Sequence, residues 1–201
     1  MTPVKGNALI LPIVAYGHPV LKKKAKDIDL DKVELESLIE NMFETMYEAS
    51  GVGLAAPQIG KSIRLFIVDA SPFAEDEGIE EEERLVLADF KRVFINPEII
   101  KSSGDEWDFE EGCLSIPDIR EKVWRESDVV IRYKDEHMQE KEEHLKGIAA
   151  RVVQHEYDHI NGVLFTDKLN PLRRRLLRGK LKDISQGKVN ARYKMKIFKK
   201  K

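Results

Sequence analysis

The pentapeptide His155-Glu156-Tyr157-Asp158-His159 constrains this chain more than any other stretch of it. On an α-helix, residues four apart lie about 40° apart around the axis and one turn apart along it. Both imidazoles can therefore reach one metal ion from the same face, with Glu156 beside them as a general base. The residues before the motif, Ile148, Ala149, Val152 and Val153, carry the three-and-four spacing of a helix that buries one side. Asn161-Gly162 supplies a left-handed stop, and Val163-Leu164-Phe165 resumes an apolar segment. The motif thus stands on a helix. Taken alone, it also admits a plainer reading, in which the histidines are satisfied core residues.

A catalytic metal site of three protein ligands needs one more donor and an open position. From Ile160 to Lys201 there is no His and no Glu, and the acids are Asp167 and Asp183. That argues against an ordinary zinc protease, whose third ligand follows the motif, and sends the search upstream. The chain's 1 Cys, Cys113, lies upstream in Glu110-Glu111-Gly112-Cys113-Leu114-Ser115-Ile116-Pro117, a Gly-flanked turn ending in Pro. A lone cysteine is most often a buried, inert thiol. Beside two helical histidines that lack a downstream partner, a thiolate ligand is the economical answer.

With 201 residues, 42% hydrophobic and 35% charged, the chain suits one domain with a substantial core. A net charge of -2 demands neither nucleic acid nor an acidic substrate. The longest apolar run, Ala8–Tyr16, is broken by Pro12 and is too short to span a bilayer. No basic stretch, apolar core and small-residue cleavage site occur in sequence at the start, so no secretion signal and no membrane partner are expected. One Cys allows no internal disulfide, and a cytoplasmic, reducing location fits.

The first thirty residues read as an arm wrapping the domain, with Gly17-His18-Pro19 as a turn and His18 a turn residue rather than a ligand. Asp31 with Glu34 reads as a capping box, opening an amphipathic helix to about Ser50 whose buried stripe is Leu35, Leu38, Ile39, Met42, Phe43 and Met46. Gly51–Gly60 is Gly-rich yet lacks the ending of a phosphate loop. It reads equally as a tight connection or as backbone exposed to a ligand, with Gln58 offering an amide donor. Ile63–Ala70 reads as a buried strand. Glu75–Glu83 is a block of acids expected to be a solvated, mobile loop. Short strands are expected at Arg92–Ile95, Glu98–Ser102 and Trp107–Glu110, with a hairpin at Val123–Glu126 and Asp128–Tyr133. His137 and His144 lie in polar sequence and read as surface residues. After Asn170-Pro171, Lys and Arg recur as far as Lys201 against Asp183 alone. This segment reads as a solvated, partly disordered tail, or as one that seeks a polyanion such as RNA.

Three blocks stand in order: Gly51–Gly60, Glu111–Pro117 and Gln154–His159. Together they resemble the peptide deformylase family, which removes the N-formyl group from nascent bacterial proteins. Its motifs Gly-x-Gly-Leu-Ala-Ala-x-Gln, Glu-Gly-Cys-Leu-Ser and Gln-His-Glu-x-x-Asp-His are all intact. The resemblance runs from the N-terminal arm through Pro171. It implies a catalytic domain over residues 1–171 and a basic extension over 172–201.

The fold it implies is α+β, with antiparallel strands around a central helix that carries the two histidines. Cys113, His155 and His159 would hold the metal, a ferrous ion in the family, with zinc, nickel or cobalt as substitutes. Glu156 would take a proton from a water at the open position and pass it to the leaving amine. Gln58 and the backbone N–H of Leu114 would stabilise the oxyanion. Gly53 would meet the substrate or its pocket through the backbone, and Val52, Ile148 and Val152 would wall an apolar pocket for the methionine side chain. Arg120 would contact the peptide, and Glu111 would orient a ligand from behind. The implied partners are nascent N-formyl-Met peptides and, through the basic segment, the ribosome. Two readings compete: another amidase or a protease on the same scaffold, and a metal- or RNA-binding module whose catalysis has lapsed. Intact Glu156 and Gln58 argue against lapse, since a structural metal site needs neither.

Overall fold

The computed structural model describes residues 8–29 and 34–199. Among these, the regular elements are β1 (Ile13–Val14), α1 (Leu35–Glu48), β2 (Gly53–Ala55), β3 (Leu65–Asp69), α2 (Glu81–Ala88), β4 (Lys91–Cys113), β5 (Ile116–Lys134), β6 (Glu140–Lys146), α3 (Gly147–Ile160), α4 (Pro171–Ser185) and β7 (Met195–Lys196). Strands β2 to β6 form one sheet in chain order with every neighbour antiparallel, while β1 and β7 pair parallel in a second, two-stranded sheet. The architecture is α+β, as the motifs imply.

Alternation along the strands explains the layering. Phe66, Val68 and Phe94 point to the α3 side, where Ala149, Val152 and Val153 meet them. Leu65, Ile67, Val93 and Ile95 point the other way and meet Leu38, Met42 and Met46 of α1. The middle of the sheet is thus covered on both faces, so β3 is buried throughout and apolar from Leu65 to Val68 rather than alternating. Phe66 and Phe94 stack with centroids 4.6 Å apart, a pairing that adds about 1 kcal/mol to the burial itself. A third cluster joins the arm (Val14, Leu21), the start of β5 (Ile116, Ile119, Val123) and Leu177, Leu181 and Ile184 of α4.

Several elements depart from what the sequence suggests. The expected short strands are segments of one bent strand, β4, whose register shifts between Ile95 and Glu98, Ile99 and Lys101, and Ser103 and Glu106 keep it curved around α3. Val123–Glu126 and Asp128–Tyr133 do not pair with each other; both lie in β5, which pairs with β4 on one side and β6 on the other. Strand β6 (Glu-Lys-Glu-Glu-His-Leu-Lys) escapes a hydrophobicity pattern because it is a charged edge. His137 and His144 are exposed, and His18 accepts from Val20 N in a turn, as expected. The capping box at Asp31 falls outside the described residues; α1 itself opens at Leu35 with Glu34 making no side-chain cap.

The acidic stretch is not a loop throughout. Glu81–Glu83 form the first turn of α2, where the helix dipole favours carboxylates. Arg84 donates to the carbonyls of Ala74, Asp76 and Ile79, and this ties the whole excursion together. The basic C-terminal segment is likewise ordered, as α4 capped by Asn170 and then as β7 against β1. Apolar residues at Leu177, Leu181 and Ile184 give it a buried stripe, which the charge density obscures. No helix among the described residues is long and apolar enough to cross a membrane.

Candidate metal centre

Helix α3 begins at Gly147 with φ 53, a left-handed turn that brings the chain off β6. Its own N-cap, Lys146, makes no side-chain hydrogen bond. Glu83 of α2 supplies the cap instead: its Oε1 accepts from Ile148 N at 2.8 Å. From there the helix runs into the core, burying His155, Glu156 and His159. The hairpin joining β4 and β5 brings Cys113 alongside, at a register shift between Gly112 and Cys113.

One donor atom from each of Cys113, His155 and His159 lies within 4.8 Å of the others, and Cys113 Sγ is 3.2 Å from His159 Nε2. Tetrahedral S and N donors on one divalent ion lie roughly 3.6 Å apart, so the three fit a single ion with small adjustment. His155 Nδ1 faces Glu111 Oε2 at 2.9 Å, so Nε2 is the nitrogen left to reach a metal ion. Burial pushes the His159 imidazole well below its ordinary pKa, and the positive charge near His155 and Arg125 pushes it further, which favours the neutral imidazole a metal would need. Burial would lower His155 too, but the Cys113 sulfur and the Glu111 carboxylate outweigh it and raise its pKa well above the ordinary value. That environment favours a cation between the sulfur and the imidazole. The donor set therefore fits a divalent metal.

Glu111 sits at the centre of a buried ionic cluster. Arg125 grips it at 2.6 and 2.9 Å, Arg151 adds a bond at 3.1 Å, and Arg125 also holds Asp158 at 2.7 Å. Arg151 is otherwise held by the carbonyls of Val123 and Trp107 and lies 4.6 Å over the Trp107 ring. Burial alone would raise the Glu111 carboxyl; hydrogen bonds from Arg125 and His155 outweigh it and hold it well below the usual carboxylate range. Glu111 is thus a fixed anion behind His155.

Glu156 is 4% exposed, and its Oε2 has no hydrogen-bond partner among the described residues. Burial pushes its carboxyl up to about 7, partly opposed by the positive charge near His155. A carboxylate in that range can both take and give a proton at neutral pH. It lies against Gly53, where an added Cβ would come within 2.8 Å of Glu156 Cδ and Cγ. Gly53 therefore gives Glu156 its place, a role that its expected contact with substrate did not include. Gln58 is fixed at its oxygen, which accepts from Ala55 N at 2.7 Å, so Nε2 points to Cys113 Sγ at 3.5 Å. Leu114 occupies the turn after Cys113.

Ile148 and Val152 are buried in one cluster with half-buried Val52 packed against it. Arg120 is exposed and pairs across the hairpin with Gly112, four strand positions from the cysteine turn's closing residue Ile116 on β5. Sequence reasoning missed Arg125, Arg151 and Asp158. The available sign was an arginine at an inward strand position and another inside an apolar helix face, since a charge there needs a buried partner.

Two helical histidines, a cysteine and a buried carboxylate on an α+β scaffold are the parts of a metal-dependent hydrolase. The sequence profile described as polypeptide deformylase matches residues 10–175. The chain is 59% identical to the peptide deformylase of Christiangramia forsetii over 94% of this chain and 96% of that one. It is 53% identical to that of Flavobacterium psychrophilum over 96% and 100%. A crystal structure of a peptide deformylase from Legionella pneumophila superposes with a TM-score of 0.74 at 39% identity, covering 90% of this chain and 98% of that one. The chain belongs to the polypeptide deformylase family.

Proposed function

We propose that this chain removes the N-formyl group from the initiator methionine of nascent polypeptides. The reading rests on one observation above others: a buried carboxylate, Glu156, whose Oε2 has no hydrogen-bond partner among the described residues, stands beside a Cys-His-His donor set and the amide of Gln58. Cys113, His155 and His159 would hold the metal. A divalent ion bound there acts as a Lewis acid and brings the pKa of water to about 7.

The remaining work falls to the chain's own groups. Glu156 takes a proton at Oε2 as water adds to the formyl carbon, and returns it to the amine nitrogen as the C–N bond breaks. Gln58 Nε2 and the Leu114 N–H donate to the oxygen on which negative charge grows, a contribution of about 3 kcal/mol per donor. Val52, Ile148 and Val152 wall the methionine pocket, the backbone at Gly53 lies along the substrate, and Arg120 meets the peptide beyond it. Glu111 holds His155 in the tautomer that ligates.

A ferrous ion is the proposed metal, with zinc, nickel or cobalt as substitutes; a thiolate beside Fe2+ makes the site oxygen-sensitive. Residues 1–171 form the catalytic domain in this reading and 172–201 its extension. The single cysteine and the substrate together fit the cytoplasm. Arg174, Arg175, Arg178 and Lys182 line a groove of about 640 Å³ at α4, which suits docking on ribosomal RNA. Removal of the extension's exposed charge by Arg174→Ala and Arg178→Ala should then weaken ribosome binding in a salt-dependent way; unchanged binding would discard the docking.

Activity on formyl-Met, acetyl-Met and internally cleavable peptides tests the substrate. Formate release from the first alone is expected. Cleavage of internal bonds alone would replace this reading with a protease.

A further inference from the structure

The turn that carries Cys113 and Leu114 is held from behind by the two ends of the described chain. Leu114 and Ser115 lie between the paired residues Cys113 and Ile116, so their carbonyls have no partner in the β4–β5 ladder. Ser115 O accepts from Tyr16 N at 2.8 Å, just past β1. Leu114 O accepts from the Tyr193 hydroxyl at 2.7 Å, just before β7. The two donors are locked to each other, because Ile13 N donates to Lys194 O at 2.9 Å and Ala15 N to Lys196 O at 3.0 Å.

Tyr193 is half-buried and packs into the same apolar cluster as Leu114. It lies beyond residues 10–175, the stretch that the family profile matches. Along the segment Ala191, Tyr193, Met195 and Ile197 turn inward while Arg192, Lys194 and Lys196 turn out, the period of a strand. Nothing in the proposed chemistry uses this side chain.

We infer that Tyr193 is a positioning residue for deformylation: its hydroxyl fixes the Cys113–Leu114–Ser115 backbone so that the Leu114 N–H is aimed before charge develops. The inference rests on the reading of Leu114 as an oxyanion donor. A donor aimed in advance acts in the transition state, so its loss lowers kcat and leaves KM unchanged. Only the hydroxyl makes the bond, so Tyr193→Phe removes the clamp and keeps the packing.

The test compares the full-length, metal-loaded wild type with Tyr193→Phe. It measures kcat and KM per bound metal on a formyl-Met peptide, together with hydrogen exchange at the Leu114 and Ser115 amides. The expected result is a fall in kcat of about fivefold, the equivalent of one neutral hydrogen bond, at constant KM and with faster exchange at both amides. A purely structural role would lower stability and metal-loaded yield but leave kcat per bound metal unchanged, and that result overturns the inference. A rise in KM with unaltered exchange also overturns it. If the wild type does not deformylate while the variant still exchanges faster, the clamp stands and the reading of the reaction fails.

Discussion

Replacement of Glu111 by Gln keeps the side chain's shape and removes the charge on which three residues converge. Glu111 Oε1 accepts from Arg125 Nε and Arg151, and Oε2 accepts from Arg125 and faces His155 Nδ1. A glutamine amide must place its NH2 at one of these two positions, where it meets two N–H donors. The arginines, 3% and 2% exposed at their side chains, would be left with Asp158 and two backbone carbonyls. Breaking a buried charge pair on one side costs about 3–5 kcal/mol. The remaining partners put this case at the lower end, about 3 kcal/mol. For a chain of this size that lowers Tm by about 6–12 °C. The second effect is on the metal: with Nδ1 no longer held by a carboxylate, His155 loses its fixed tautomer and affinity falls about 10–100-fold.

Calorimetry of the metal-free protein and chelator competition of the loaded one measure the two effects separately. The pH dependence has a definite sign. Glu111 is held below its unfolded value of 4.5, so its contribution is complete above pH 4.5 and is lost as pH falls through the folded value. The stability gap between wild type and variant should therefore be full at neutral pH and narrow under acid conditions. A Tm within about 2 °C of wild type, with unchanged metal affinity, would refute the reasoning.

Three further substitutions probe neighbouring links. Gly53→Ala sets a methyl against Glu156 and should cut kcat by tenfold or more, about 1.4 kcal/mol, while metal content is kept; a normal kcat would mean that Glu156 need not stay where it is. Gln58→Ala removes the donor to which the proposed reaction gives the developing charge and should lower kcat about 10²–10³-fold, read by steady-state kinetics, with a rise in KM alone counting against that role. Glu83→Ala uncaps α3 and should cost about 1 kcal/mol, or 2–4 °C in Tm, in a thermal melt; no shift would show that the cap from α2 is dispensable.

The juxtaposition of the three candidate metal donors was legible because a helix fixes the angle between His155 and His159 and the chain holds one cysteine. The helices α1 and α3 were legible from apolar spacing, and β3 from its β-branched run. What stayed hidden was set by tertiary partners. Glu83 caps a helix 65 residues away, and no local pattern announces it. The pairing of β4 with β5 across a bulged register merges several short apolar runs into one ribbon. Strand β6 is charged because it is an edge, and β7 is charged on its outer side, so both read as loop or tail. The alternation from Ala191 to Ile197, with Tyr193 on its inward side, is present in the sequence but masked by the density of lysine around it.

Formate release from a formyl-Met peptide by anaerobically purified, iron-loaded protein, measured beside Glu156→Ala with bound metal counted in both, tests the proposed chemistry most directly. Turnover by the wild type and its loss in the variant at equal metal content is the predicted result. Turnover that persists in the variant, or its absence in a fully loaded wild type, would contradict it.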